Sequence, residues 1–243
     1  MKKRNTYTFI ILFVLFQAAI AYSDQFTLSA KIGPIKKIVY KFSYEMNIDN
    51  NDYNLKFNLY SQDNFIEFLT DETIGNGFSR GEIKEDIFIT KNYEYLEKKE
   101  GSIKKYFIDF NDPNNIKGIR IPSYDKSKLT PIEGTMLVDI FDPALIFYKL
   151  ANFLDLENCN KKFKIYDAKR RFDLSITKVS EDQNGLKCLM TSNKIGGYKI
   201  KDKINPLEIP YEMIIEFKYI GDNLRMTSIE GKNSVLKIIV ERI

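Results

Sequence analysis

The sequence predicts a mainly β (α+β) fold: a single curved antiparallel sheet, or half-barrel, with one helix packed on it. Three observations predict it. Apolar and polar residues alternate with period two over long runs. Turn-forming clusters recur between those runs. Helical spacing with a clear start signal occurs once, after Asp142-Pro143. At 243 residues, 44% hydrophobic and 29% charged, the chain can bury one good-sized core, or at most two small ones.

The N-terminus reads as a secretory signal. Lys2, Lys3 and Arg4 are a basic leader, Phe9 to Phe16 is an apolar run, and Ala19-Ile20-Ala21 offers small residues for cleavage after Ala21. The alternative is a membrane anchor, since the uncharged run from Asn5 to Ser23 is of borderline length for a span. Gln17 and the small residues favour cleavage. No cysteine lies near the cut, which excludes a lipoprotein anchor. The expected organisation is a signal peptide over residues 1–21 and a single β-rich envelope domain over 22–243, located in the periplasm. Removing Lys2, Lys3 and Arg4 takes the formal charge from +4 to +1, so no polyanion-binding surface is implied and nucleic acid is not an expected partner.

The elements follow in order. Gln25 to Lys31 is a short strand. Ile38, Tyr40, Phe42, Tyr44, Met46 and Ile48 alternate with polar positions, Asp49-Asn50-Asn51-Asp52 turns the chain, and Tyr53, Leu55, Phe57 and Leu59 continue the alternation. This is an antiparallel hairpin with one apolar face. Phe65 to Ile74 fits a helical turn as well as a strand, and Gly75-Asn76-Gly77 breaks it. Phe78 to Ile89, Tyr93 to Lys98 and Lys104 to Phe110 read as strands, with a turn at Glu100-Gly101. Residues 111–134, rich in Asn and Pro, read as a long surface loop, with a lid over a pocket as the alternative.

Asp142 is a good helix N-cap and Pro143 suits the first helical position. Ile146, Leu150, Phe153 and Leu154 recur at helical spacing, so the helix is expected to reach about Leu156 with Lys149, Asn152 and Asp155 facing away. The second half is strands again: Lys162 to Tyr166, Arg170 to Val179, a reversal at Asp182-Gln183-Asn184-Gly185, and Leu186 to Ser192. Gly196-Gly197 and the Pro206/Pro210 segment form an irregular bridge. Tyr211 to Ile220, Leu224 to Glu230 and Ser234 to Arg242 close the fold as a meander, with turns at Gly221-Asp222 and Gly231-Lys232.

The chain contains no histidine, which excludes imidazole-based catalysis and zinc sites that need it. No phosphate loop, CxxC pair or calcium-loop spacing occurs. No cofactor, metal or catalytic residue is expected, and the chain is read as a non-enzyme. Cys159 and Cys188 are the two cysteines. An even number in an oxidising compartment favours one disulfide; two separate buried thiols are the alternative. If the flanking hairpins set the register, a bond requires Cys159 to leave the sheet, because partners two strands apart lie too far away.

Ligand-binding candidates fall in two groups. Tyr40, Phe42, Tyr44 and Phe57 form an aromatic stripe that either packs under the helix or lines a cavity. Tyr166, Asp167, Lys169, Arg170, Arg171 and Asp173 form a dense charged corner. Its cations suit an anion such as a lipid phosphate or carboxylate; the structural alternative has Asp167 shaping the turn and the cations pairing with nearby carboxylates.

The second half resembles an uncharacterised family of exported Gram-negative proteins, domain of unknown function 3108. The features are Asp142-Pro143-Ala144-Leu145, Cys159, the run Tyr166 to Leu174, Cys188, Ile195-Gly196-Gly197-Tyr198 and Pro210. The similarity covers residues 136–243, with Ala168 where the family usually has Gly. It implies export, a single envelope domain and paired cysteines, and no known reaction. By analogy of architecture the fold is also similar to periplasmic lipoprotein and lipid carriers. The expectation is an exported, non-catalytic module binding an apolar or amphipathic envelope ligand such as a lipid. An envelope scaffold that docks a protein partner is the alternative, followed by an acidic-residue hydrolase. Nothing in the sequence sets the oligomeric state.

Overall fold

The computed structural model describes residues 20–32, 35–61, 73–99, 101–200, 212–232 and 236–243. The leader before Ile20, the ambiguous Phe65–Glu72 stretch and the Pro206/Pro210 bridge lie outside the described residues.

The first half is a meander of seven strands: β1 (Ile20–Ile32), β2 (Ile35–Asp49), β3 (Asp52–Ser61), β4 (Thr73–Lys84), β5 (Ile87–Lys99), β6 (Ser102–Asp109) and β7 (Lys117–Ile121). A two-residue strand β8 (Ile140–Phe141) leads into helix α1 (Pro143–Ala151). A second meander follows: β9 (Asn160–Tyr166), β10 (Arg171–Asp182), β11 (Gly185–Gly196), β12 (Glu212–Ile220), β13 (Asn223–Lys232) and β14 (Leu236–Arg242). All fourteen strands form one sheet in the order β7-β6-β5-β4-β3-β2-β1-β14-β13-β12-β11-β10-β9-β8. The expected curved, mainly antiparallel sheet with one helix is therefore present. Its two halves are joined by pairing β1 to β14, as in Phe26 opposite Arg242.

Local chemistry explains the hairpins. Tyr44 lies opposite Phe57, Met46 opposite Leu55 and Ile48 opposite Tyr53, so the period-two face pairs with itself. Asn50 and Asn51 take positive φ of 48° and 72°, as a two-residue turn matched to strand twist requires. Glu85 and Asp86 do the same at 51° and 64°, splitting the run read as one strand from Phe78 to Ile89. Gly75-Asn76-Gly77 does not break the chain but lies inside β4. Side chains there would overlap the rings of Tyr95 and Phe57, which lie over the two glycines. Residues 111–134 are not all loop: β7 pairs with β6, Ile119 opposite Phe107. Gly231 and Lys232 continue β13 instead of turning.

The helix starts as its sequence indicates. The Asp142 carboxylate accepts the Leu145 amide at 2.9 Å and also the hydroxyls of Ser79 (2.8 Å, β4) and Thr90 (2.9 Å, β5). Asp142 is fully buried, so this one side chain caps the helix and ties it to the sheet. Burial outweighs the hydrogen bonds from Leu145, Ser79 and Thr90 and raises its carboxyl above the ordinary range.

The helix ends at Ala151, short of Leu156. Phe153 and Asp155 take φ of 54° and 57°, outside helical backbone. The Arg242 guanidinium donates to the Ala151 carbonyl at 2.5 Å and to Asp24 at 2.8 Å. Lys149 and Asn152 do not face solvent. Lys149 is 2% exposed, paired to Asp155 and flanked by the rings of Phe88 and Phe141. Asn152 donates to Tyr44 Oη at 2.9 Å. The helix packs on the concave face of the one sheet, against strands as far apart as β3, β4, β9 and β13, so more than one of its sides finds partners.

Cys159 precedes β9, has φ of 62° and is bonded to Cys188 in β11, opposite Lys178. It has left the sheet, as the register demanded. The two Cα atoms are 6.0 Å apart, and both residues are fully buried.

Candidate functional site

The sheet does not close. Its free edges are β7 at one end and β8 beside β9 at the other. Gly118 of β7 lies against the Tyr166 hydroxyl at the end of β9, where any Cβ would overlap it. The absent side chain thus lets the two ends approach. The segment between Ile121 and Ile140 covers this seam. It is stitched to the second meander by Thr130 N donating to Tyr198 O (2.7 Å), Gly197 N to Thr130 O (2.9 Å) and Ile200 N to Lys128 O (3.1 Å).

A partly enclosed groove of about 700 Å³ remains along the seam. Ile116, Ile119, Ile132, Leu137, Tyr124 and Tyr166 supply most of its apolar wall, and Gly118 and Gly197 its narrow points. That volume is in the range of small-ligand sites.

The charged corner sits at the rim. Asp167 accepts the amides of Lys169 (3.0 Å) and Arg170 (2.6 Å), and its second oxygen pairs with the Arg170 guanidinium at 2.6 Å. The turn forces Ala168 to φ of 69°, the conformation a glycine would adopt without strain. Gly197 packs against this turn, since a Cβ there would overlap the Lys169 carbonyl. The two short motifs of the second half therefore touch.

Arg171 points elsewhere. It is 4% exposed, donates Nε to Met136 O at 2.8 Å and pairs with Asp173 at 2.8 Å. Lys162 also reaches Asp173, at 3.1 Å. Burial would raise the Asp173 carboxyl, but Arg171 and Lys162 outweigh it and hold it below the usual range. This pair fastens the seam-covering segment from behind.

Lys169 has no carboxylate partner among the described residues. Its ammonium lies 5.9 Å from the centroid of the Tyr124 ring. Arg120, in β7, lies 5.6 Å from the same centroid and 5.7 Å from that of Tyr106. Arg120 donates to Pro122 O at 2.9 Å, while its buried Nε has no hydrogen-bond partner among the described residues. Burial lowers the Lys169 pKa, and the nearby cations Arg170 and Arg120 push it the same way.

The aromatic stripe lies mostly in the core. Tyr44 and Phe57 are buried, while Tyr40 and Phe42 are half-buried. Phe147 of α1 packs edge-on against Phe42 at 4.6 Å and Phe26 at 5.1 Å, and Tyr148 against Tyr44 at 5.4 Å. This part of the concave face is filled by the helix. The stripe nevertheless connects to the rim. Phe57 stacks on Tyr95 at 5.8 Å, Tyr95 on Tyr106 at 5.8 Å, and Arg120 covers Tyr106.

Of the residues singled out in sequence, Tyr166 lines the groove, while Asp167, Lys169 and Arg170 form the turn that packs on the lining residue Gly197; Arg171 and Asp173 hold the covering segment at Met136. Arg120, Tyr124 and Tyr106 were missed. The alternation in Lys117-Gly-Ile-Arg-Ile121 was the available signal for Arg120. Among the described residues no group of three or more metal-ligating side chains occurs.

No family model matches the chain, and no curated protein matches it. Among solved structures it is similar to the crystal structure of a beta-barrel-like protein of domain of unknown function DUF1849 from Brucella abortus. The likeness spans 93% of this chain and 96% of that one, at 10% identity and a TM-score of 0.50. At that identity it shows the fold alone. The neighbour is thus an uncharacterised domain, but a different one from domain 3108.

Proposed function

We propose that the chain is an exported, non-catalytic binding protein that holds an apolar or amphipathic ligand of the cell envelope in the seam groove. The groove itself carries this reading: a slot of about 700 Å³ with a mixed polar and apolar lining, as an amphipathic ligand needs, lies where the sheet is left open, rather than in the core filled by α1. An acyl chain fits such a slot along the apolar side chains of Ile132 and Leu137, with the Tyr124 and Tyr166 rings beside it. The predicted leader and the Cys159–Cys188 bond support a periplasmic location. The charged corner offers little to an acidic-residue hydrolase, because Asp167 and Asp173 are each engaged by their own cations.

The chain has no tryptophan, so Ile119→Trp introduces a unique fluorophore into the wall of the groove. Purified protein carrying this change should shift its emission on adding a medium-chain fatty acid, and organic extraction of the unmodified protein should yield co-purified lipid. Unchanged emission together with a lipid-free extract would refute the reading.

A further inference from the structure

We infer that the rim of this groove is an anion subsite, so that the ligand is a single-chain amphiphile with an anionic head. The inference rests on the amphiphile reading above and specifies its chemistry.

Two cations, Arg120 and Lys169, lie within 6 Å of the centroid of one ring, that of Tyr124, which itself lines the groove. They come from opposite sides of the seam, one from the edge strand β7 and one from the turn after β9. Neither has a carboxylate partner among the described residues, whereas Arg170 beside them is neutralised by Asp167. Asp167 is the one carboxylate near Lys169, Arg170 and Arg120 and is already paired to Arg170, so this gathering of like charges is under-compensated unless a ligand supplies the rest. The buried Arg120 Nε adds a donor with no acceptor among the described residues. A carboxylate, sulfate or phosphate monoester at this rim would accept from both cations and offset their repulsion. From Tyr124 the chain would run along the Ile132–Leu137 wall.

Calorimetric titration of the full chain with decyl phosphate, decanol and inorganic phosphate tests this. Decyl phosphate should bind at least about tenfold tighter than decanol, and more weakly as ionic strength rises. Arg120→Gln and Lys169→Gln, each checked for an unchanged melting temperature, should each cost about tenfold for decyl phosphate and nothing for decanol. Equal affinity for decyl phosphate and decanol, or wild-type decyl phosphate binding in both variants, would overturn the anionic head and leave the amphiphile reading standing. Inorganic phosphate bound as tightly as decyl phosphate would assign the subsite to a free anion instead. Failure of both decyl compounds would overturn the amphiphile reading and this inference together.

Discussion

Arg171 offers the sharpest test of how the groove is held. Its guanidinium donates to Met136 O at 2.8 Å and to Phe172 O, and is ion-paired with Asp173 at 2.8 Å, while 4% exposed. Breaking a buried pair on one side costs about 3–5 kcal/mol. Asp173 keeps Lys162 at 3.1 Å and retains 13% exposure, so the lower end applies, about 3 kcal/mol. Urea unfolding of Arg171→Ala should then show a midpoint about 1–2 M lower with an unchanged slope. Arg171→Met keeps the aliphatic stem and isolates the hydrogen bonds; it should lose most of the same amount. Both variants should be cleaved faster by protease within residues 122–139, because Met136 adjoins the groove residue Leu137. The pH dependence has a definite sign. A carboxyl held low contributes stability that is intact above about pH 4 and lost as the pH falls through the folded value. Without Arg171 that loss should begin at higher pH. A wild-type midpoint in Arg171→Ala, or an Arg171→Met variant as stable as wild type, would refute the tether.

Other expectations concern the fold around the groove. Asp142→Ala should cost about 2 kcal/mol or more by removing the cap and leaving Ser79 and Thr90 without their acceptor. Asp142→Asn keeps an acceptor and should be far milder. Since the Asp142 carboxyl is raised, the stability its protonated form contributes declines as pH rises from about 4 through the folded value; the Asn variant should lack that decline in chemical denaturation at successive pH values. Reducing Cys159–Cys188, which closes a loop with a separation of 29, should cost about 3 kcal/mol in the same assay. Gly197→Ala combines φ of 80° with overlap of the Lys169 carbonyl. It should lower stability by more than about 2 kcal/mol and weaken ligand binding at the rim.

The legible parts of the fold were those set by neighbours in sequence. The Tyr44–Phe57 hairpin carries its own alternation and turn, and Asp142-Pro143 carries its own cap. What stayed hidden depends on distant partners. Lys149 looked like a solvent-facing residue because helical spacing reports one apolar stripe; its burial follows from sheet on more than one side of α1, with Asp155, Phe88 and Phe141 as its partners. Strand β7 was lost within an Asn- and Pro-rich stretch, since five residues beside proline carry little periodic signal. With it went Arg120, and hence half of the rim. The corner from Tyr166 to Asp173 stood out by its charge, but sequence could not assign its cations to separate tasks. A shift of one residue along the chain sends Arg170 to Asp167 and Arg171 to Met136 and Asp173.

The pairing of β1 with β14 has a consequence for how the molecule assembles. Every other neighbouring pair in the sheet joins strands consecutive in sequence. The loop-closure entropy of this topology is therefore concentrated in one contact, made between the first and the last of the described strands. Each meander can form from its own hairpins, and zippering of the halves waits for Arg242 to meet Phe26 and Asp24. A circular permutant that joins the two ends and opens the chain within residues 122–139 would turn the sheet into a simple sequential meander. Such a chain should fold faster than the natural one at similar stability.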